Sequence, residues 1–150
     1  MENSNHFNVI VIGAGISGIG AGYYLKKNCP NKSFCIIEGR ENIGGTWDLF
    51  KYPGIRSDSD MFTLGYAFKP WKEQKTIANG PSILSYLEET VEENNLREKI
   101  KFSHKVLSAN WNSAERNWEV RAAHHEQEIL LTANFLFMGT GYYNYDEGYT

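Results

Sequence analysis

Apolar positions fall into two kinds of run along this chain, one short and continuous, the other spaced at helical intervals. Residues 7–12 are a β-branched run that ends at Gly13. A continuous apolar run of that length suits a central strand buried on both faces. Residues 16–28 carry Ile16, Ile19, Tyr23 and Leu25 at helical spacing, and Pro30 follows. Proline cannot continue a helix, so the helix stops before it. Residues 33–38 read as a second buried strand ending in Glu38. Strand, glycine turn, helix and strand make one βαβ unit, for which a right-handed crossover is expected.

Residues 39–80 have little regular periodicity. A stretch this long inside a compact domain points to a binding loop when it is rich in aromatics and glycine, as here. Gly80-Pro81-Ser82 then opens a helix that runs to about Asn94, with Ile83, Leu84, Leu87 and Val91 on one face. From Ile100 the pattern becomes strand-like. Residues 101–104 read as a third parallel strand. Residues 106–111, 118–123 and 129–133 read as a three-stranded antiparallel meander, and 134–138 as a further buried strand ending at Gly139. The fold class expected is α/β: a Rossmann-like parallel sheet flanked by helices, with an inserted β-meander, and incomplete.

Composition narrows the function. The chain has 150 residues, 41% of them hydrophobic, which supports one core rather than two, so residues 1–150 are taken as one domain. A net charge of −3 argues against nucleic acid, whose phosphates need a concentrated positive surface. Aromatic content of 14% argues against disorder. No apolar run reaches the ~18 residues of a membrane span, and the N-terminus lacks the pattern of a signal peptide. Cys29 and Cys35 cannot build a disulfide framework and suit a reducing cytoplasm; both are expected to be small buried hydrophobes. Nine of the 14 glycines lie between Gly13 and Gly54, so the ligand is expected in the first third of the chain.

Gly13-Ala14-Gly15-Ile16-Ser17-Gly18 has the spacing Gly-x-Gly-x-x-Gly between a strand and a helix. Gly13 permits a tight turn, Gly15 lets backbone N–H groups approach a pyrophosphate, and Gly18 lets the helix pack on the strand. The helix N-terminus then offers unpaired donors and positive dipole density to phosphate. Glu38 ends the next strand, where a carboxylate accepts from both ribose hydroxyls and repels a 2′-phosphate. The pair fits FAD or NAD and not NADP. Gly44-Gly45-Thr46-Trp47 and a second glycine turn, Gly139-Thr140-Gly141, favour the longer FAD. Asp58-Ser59-Asp60 reads either as a site acid with its neighbours or as the cap of a helical turn. His124-His125 reads as a hairpin tip, and Glu88, Glu89, Glu92 and Glu93 as a solvated helix face.

Taken together, residues 13–18, Glu38, 44–47, the run from Tyr52 to Asp60 (Tyr-Pro-Gly-Ile-Arg-Ser-Asp-Ser-Asp) and 139–143 resemble the N-terminal FAD-binding part of class B flavoprotein monooxygenases. That family holds the flavin-containing and the Baeyer-Villiger monooxygenases, and the Tyr-Pro-Gly stretch leans to the second group. The resemblance implies an enzyme that uses NADPH to reduce FAD and O2 to form a C4a-peroxyflavin. Its substrate would be a small ketone, amine or sulfide that receives one oxygen atom.

The resemblance also implies roles. Gly13, Gly15, Ile16, Ser17 and Gly18 would hold the diphosphate and Glu38 the adenosine ribose. Gly45, Thr46 and Trp47 would lie along the flavin, and Val106 would present backbone to the adenine. Gly139, Thr140 and Gly141 would close the cofactor loop. Arg56 and Asp58 would be catalytic, with Asp58 beside the isoalloxazine and Arg56 and Ser57 near the nicotinamide path. Only one Gly-x-Gly-x-x-Gly unit is present, so the NADPH site is expected largely beyond Thr150. The piece alone is expected to be inactive and to hold FAD weakly. A non-catalytic flavin-binding fragment and another FAD-dependent oxidoreductase remain as alternative readings.

Overall fold

The computed structural model describes residues 5–143. The chain runs β1 (His6–Ile12), α1 (Ile16–Asn28), β2 (Phe34–Ile37), α2 (Thr46–Leu49), α3 (Met61–Leu64) and α4 (Gly80–Glu93). A 3-10 turn (Arg97–Lys99) then leads to β3 (Ile100–Lys101), β4 (His104–Asn112), β5 (Asn117–His124) and β6 (Gln127–Met138). All six strands form one sheet in the order β3-β2-β1-β6-β5-β4. β1 pairs in parallel with β2 and with β6, and β2 with β3, while β4, β5 and β6 are antiparallel neighbours.

The apolar runs explain the layering. On one face Val11, Phe34 and Ile36 of the strands meet Ile19 of α1 and Ile83, Leu87 and Val91 of α4. On the other face Ile10, Ile12, Cys35 and Ile37 meet Val120, Leu131 and Ala133 of the meander. Both long helices thus lie on one side, and the meander covers the other. β3 and β4 are joined by only Phe102 and Ser103, yet they stand at opposite ends of the strand order. The sheet must therefore curl, bringing the start of β4 back against the end of β2. The His104 N–H donates to Glu38 O at 2.9 Å, which closes that curl.

Residues 39–79 are ordered by buried anchors rather than by long elements. Ile43, Met61, Trp71 and Ala78 all enter the helix-side core. Tyr86 of α4 accepts from the Tyr66 N–H at 2.7 Å and donates to Lys69 O at 2.6 Å. Tyr66 in turn donates to Ile16 O at the start of α1. These bonds satisfy loop backbone that would otherwise be buried without partners.

Four expectations need correcting. The third parallel strand is only Ile100–Lys101, and His104 already belongs to the antiparallel β4. The segments 129–133 and 134–138 are one strand, β6, whose first half pairs with β5 and second half with β1. Its second half is not buried: Phe135, Phe137 and Met138 are 69%, 43% and 60% exposed. Phe135 and Phe137 stand beside Val9 and Val11 on the helix side, and no described helix reaches that far along the sheet. Cys29 is exposed, because it caps α1 at the surface, whereas Cys35 is buried. Burial pushes the Cys35 thiol up to about 12, with Lys101 opposing, so it is an inert apolar filler.

Leu87 is fully buried at the centre of the helix-side core. Leu87→Ala is expected to cost about 2–5 kcal/mol, read as a lower urea midpoint in equilibrium unfolding with an unchanged slope.

Candidate functional site

A cavity of about 520 Å³ opens at the C-terminal ends of β1, β2 and β6. Ligands in open α/β sheets bind at such strand ends, and the size is that of a small-molecule or cofactor cleft. Its floor is made by a close meeting of backbones. Gly13 has φ of +99°, and a Cβ there would sit 2.5 Å from Gly139 O. A Cβ on Gly18 would lie 1.8 Å from Gly13 O. A side chain at Gly13 would push away the turn that follows β6, and one at Gly18 would push α1 off the end of β1. Gly18 itself is buried beneath the cavity and does not line it.

Gly15 does the opposite job. A Cβ there would meet nothing nearer than Gly45 Cα at 3.8 Å, so a side chain would project into the cavity. Gly15 is the N-cap of α1, with no side-chain cap and no acid in the first turn. The first N–H groups of a helix have no intrahelical acceptor. Here they face a cavity with a positive dipole end behind them, an arrangement suited to an anion. Ile16 and Ser17 line the same wall.

The opposite wall carries one buried acid. Glu38 is 8% exposed. Its Oε2 accepts from the Ala14 N–H at 2.8 Å and its Oε1 from the Arg40 N–H at 3.0 Å. Each oxygen keeps lone-pair capacity for a hydroxyl donor. Arg40, which the sequence reading passed over, also lines this wall. Its guanidinium donates to Gly45 O at 2.9 Å, lies 3.2 Å from Asp48 Oδ2 and 3.9 Å from Glu38 Oε1. It therefore ties the segment after β2 to α2. An arginine two places after the strand-end acid was the only signal available for it.

Thr46 and Trp47 reach the cavity from α2, with Gly44 and Gly45 leading into that turn. Val106 enters from β4 together with His104 and Lys105, and Gly139, Thr140 and Gly141 follow β6. Met138 and Tyr143 also line it and were not anticipated. Three expected site residues, among them both of those expected to be catalytic, do not line the cavity. Arg56 is exposed and bridges Asn79 across a short antiparallel contact. Ser57 is buried, its N–H donating to Ala78 O at 2.9 Å, and it does not line the cavity. Asp58 is exposed outside the cavity wall. The helix-capping role in this run falls to Asp60, whose carboxylate accepts from the Thr63 N–H at 3.0 Å. That bond holds the Asp60 pKa below its usual value. Among the described residues no group of three or more His, Cys, Asp or Glu side chains could hold a metal.

The comparisons with known proteins agree with this geometry. Residues 11–73 match the NAD(P)-binding Rossmann-like domain family. The chain is 53% identical over 147 residues to the FAD-containing monooxygenase EthA of Mycolicibacterium smegmatis, covering 98% of this chain and 30% of that protein. It is 53% identical over 143 residues to the probable FAD-binding monooxygenase AlmA of Acinetobacter sp, covering 95% and 29%. The chain is similar to the N-terminal part of FAD-containing monooxygenases.

Solved structures give the same placement. The open crystal structure of cyclohexanone monooxygenase superposes with a TM-score of 0.83 at 29% identity, over 92% of this chain and 27% of that one. An oxidized steroid monooxygenase bound to NADP gives 0.81 at 29% identity, over 91% and 26%. The chain thus spans under a third of the length of the relatives it matches.

Two outcomes follow for the site. Gly18→Ala is expected to lose the folded state or drop its melting temperature sharply, since the added methyl must displace backbone; circular dichroism melting checks this. Arg40→Ala is expected to cost about 1.5–3 kcal/mol through lost charge-assisted bonds while leaving the sheet intact, read by chemical denaturation alongside far-ultraviolet circular dichroism.

Proposed function

We propose that this chain is the FAD-binding part of an NADPH-dependent monooxygenase that transfers one oxygen atom from O2 to a small-molecule substrate. The observation that carries this reading is the pairing, across one cavity, of an uncapped helix N-terminus with a buried strand-end carboxylate. In a chain half identical to FAD-containing monooxygenases, that pairing matches the two ends of an ADP moiety. The N–H groups of Ile16 and Ser17 would hold the diphosphate. Glu38 would accept from the ribose hydroxyls, held in place by the Ala14 N–H and the Arg40 N–H. Gly15, Gly45 and the 139–141 turn keep backbone close enough for the cofactor to lie along it.

When bound, the flavin supplies the redox chemistry that activates O2. The residues of this chain bind it, orient it and exclude water from one side. Thr46, Trp47 and Tyr143 line the same cavity and would flank the flavin ring. Asp58 and Arg56 would act only if the Tyr52–Asp60 loop meets the remainder of the enzyme, since both are exposed at its surface. The Tyr-Pro-Gly stretch and the likeness to cyclohexanone monooxygenase favour a Baeyer-Villiger reaction on a ketone, with oxygenation of an amine or sulfide as the second reading. NADPH would bind mainly to parts of the protein outside this chain. No helix among the described residues is long and apolar enough to cross a membrane. The two free cysteines fit a reducing cytoplasm.

The test is a titration of FAD into the isotope-labelled chain, followed by two-dimensional NMR, which detects weak binding. Amide shifts are expected at residues 15–18 and 38–40, and Glu38→Arg should weaken binding at least tenfold. If FAD leaves those amides unmoved, the cofactor assignment is wrong.

A further inference from the structure

Two imidazoles meet where the rim of the cavity joins the sheet. His104 opens β4 and lines the cavity, and His124 ends β5 directly across from it. Their rings stack with centroids 4.0 Å apart and planes 24° from parallel. Each ring is fixed at Nδ1: His104 donates to Phe102 O, and His124 donates to Ser103 O at 3.1 Å. A carbonyl can only accept, so both Nδ1 atoms carry the proton and the rings need no second proton to make these bonds. The His125 ring lies 4.3 Å from that of His124.

The turn held by these rings also brackets the buried acid. The Glu38 N–H donates to Lys101 O at 2.9 Å, and Glu38 O accepts from the His104 N–H at 2.9 Å. The Ser103 N–H donates to Arg40 O at 3.0 Å. Ser103 has φ of 56°, a conformation that a non-glycine residue keeps only when surrounding contacts hold it. Glu38 is thus positioned at its backbone by a two-residue turn, and that turn is pinned by two imidazoles.

The charged neighbours make this arrangement sensitive to protonation. On the elements packed against the pair stand Lys101 of β3, Lys105 of β4, Arg40 and Glu38 after β2, and His125 and Glu126 in the β5–β6 turn. The Glu38 carboxylate is directed to Ala14 N–H and Arg40 N–H, and Glu128 of β6 is engaged by Arg121. Burial holds the His104 pKa below its usual value; the bond to Phe102 O opposes this, and His124, Lys101 and His125 add to the lowering.

We propose that the stacked pair His104–His124 is a positioning element for Glu38, and that it makes the hold of this cavity on an adenosine ribose depend on pH. The proposal rests on the cofactor reading above. With both rings neutral they stack, and the turn keeps Glu38 in place. When His104 takes up a proton, its charge lies 4.0 Å from the His124 ring and close to Lys101 and His125, which oppose it, and the stack parts. The Phe102–Ser103 turn then loosens, and Glu38 loses the bonds that fix its backbone. The sign follows from the lowered pKa: the folded arrangement favours the neutral ring. Affinity is therefore full above the ordinary imidazole value of about 6.5 and falls as pH drops below it.

The experiment measures FAD affinity of the full chain by NMR titration from pH 5.5 to 7.5, while the His104 and His124 ring signals and the amides of Glu38, Ser103 and His104 are followed. Binding is expected to weaken severalfold at the acid end as the three amides lose exchange protection in step with protonation of the His104 ring. His104→Gln and His124→Gln keep a donor for the carbonyl and remove the charge, so each should flatten the pH profile while still binding at pH 7.5. FAD affinity that does not vary with pH, affinity that rises on acidification, or an unchanged profile in both variants overturns the proposal alone. Absence of FAD binding at every pH overturns the cofactor reading and this proposal with it.

Discussion

Three stretches of backbone come together at one point, and the remaining structure is arranged around it. β1 ends at Gly13, whose N–H donates to Ile37 O at 2.7 Å; β6 ends at Gly139, whose N–H donates to Ile12 O at 2.8 Å. α1 starts against the same turn, with Gly18 in contact with Gly13. Only hydrogen occupies the space that side chains would need. That absence of volume lets a helix N-terminus sit directly at the ends of parallel strands, where its unpaired N–H groups face outward. The backbone donors that the cavity offers come from this packing, and Arg40 and Lys105 also line it.

The two walls of the cavity are electrically unlike each other. One presents backbone donors, the other a carboxylate buried among N–H groups and beside a guanidinium. A ligand that satisfies both needs an anionic centre and neutral hydroxyl donors a fixed distance away. On the function proposed above, such a cavity would favour nucleotides whose sugar hydroxyls are unmodified. Arg40 adds a mechanical link, since its guanidinium reaches Gly45 O and Asp48 while its own N–H holds Glu38. Acid and α2 therefore move as one piece.

Much of this was legible in the residues, and the failures share a cause. The opening unit was readable because period, glycine spacing and Pro30 all point to the same elements; α1 begins and ends where the pattern places it. The long segment after β2 was legible as a loop, but not its anchors, because Tyr66 and Tyr86 act through bonds between residues 20 apart. β6 was misread as two strands. Its halves serve different neighbours, and the pattern of one strand cannot reveal a change of partner. The exposure of Phe135 and Phe137 was hidden for a similar reason, since an apolar run looks the same whether or not something covers it. At the site, glycines and Glu38 were legible from spacing, while His104 joins it only through the curl of the sheet and Arg40 is fixed by its side-chain bonds to Gly45 O and Asp48. The run from Arg56 to Asp58 shows the converse: a distinctive stretch of sequence whose side chains do not reach the cavity.

The division of β6 between two pairings has a bearing on how the chain assembles. His6 at the start of β1 is joined to Thr132 across 126 positions, so the central strand of the parallel half stays half-paired until β6 has been made. Long-range pairings of this kind close late and slowly, after local hairpins and helices have formed. The β4–β5–β6 meander can fold as a local unit and then deliver the far half of β6 to β1. On a ribosome the glycine turn would acquire its final shape last, when the emerging meander supplies Gly139.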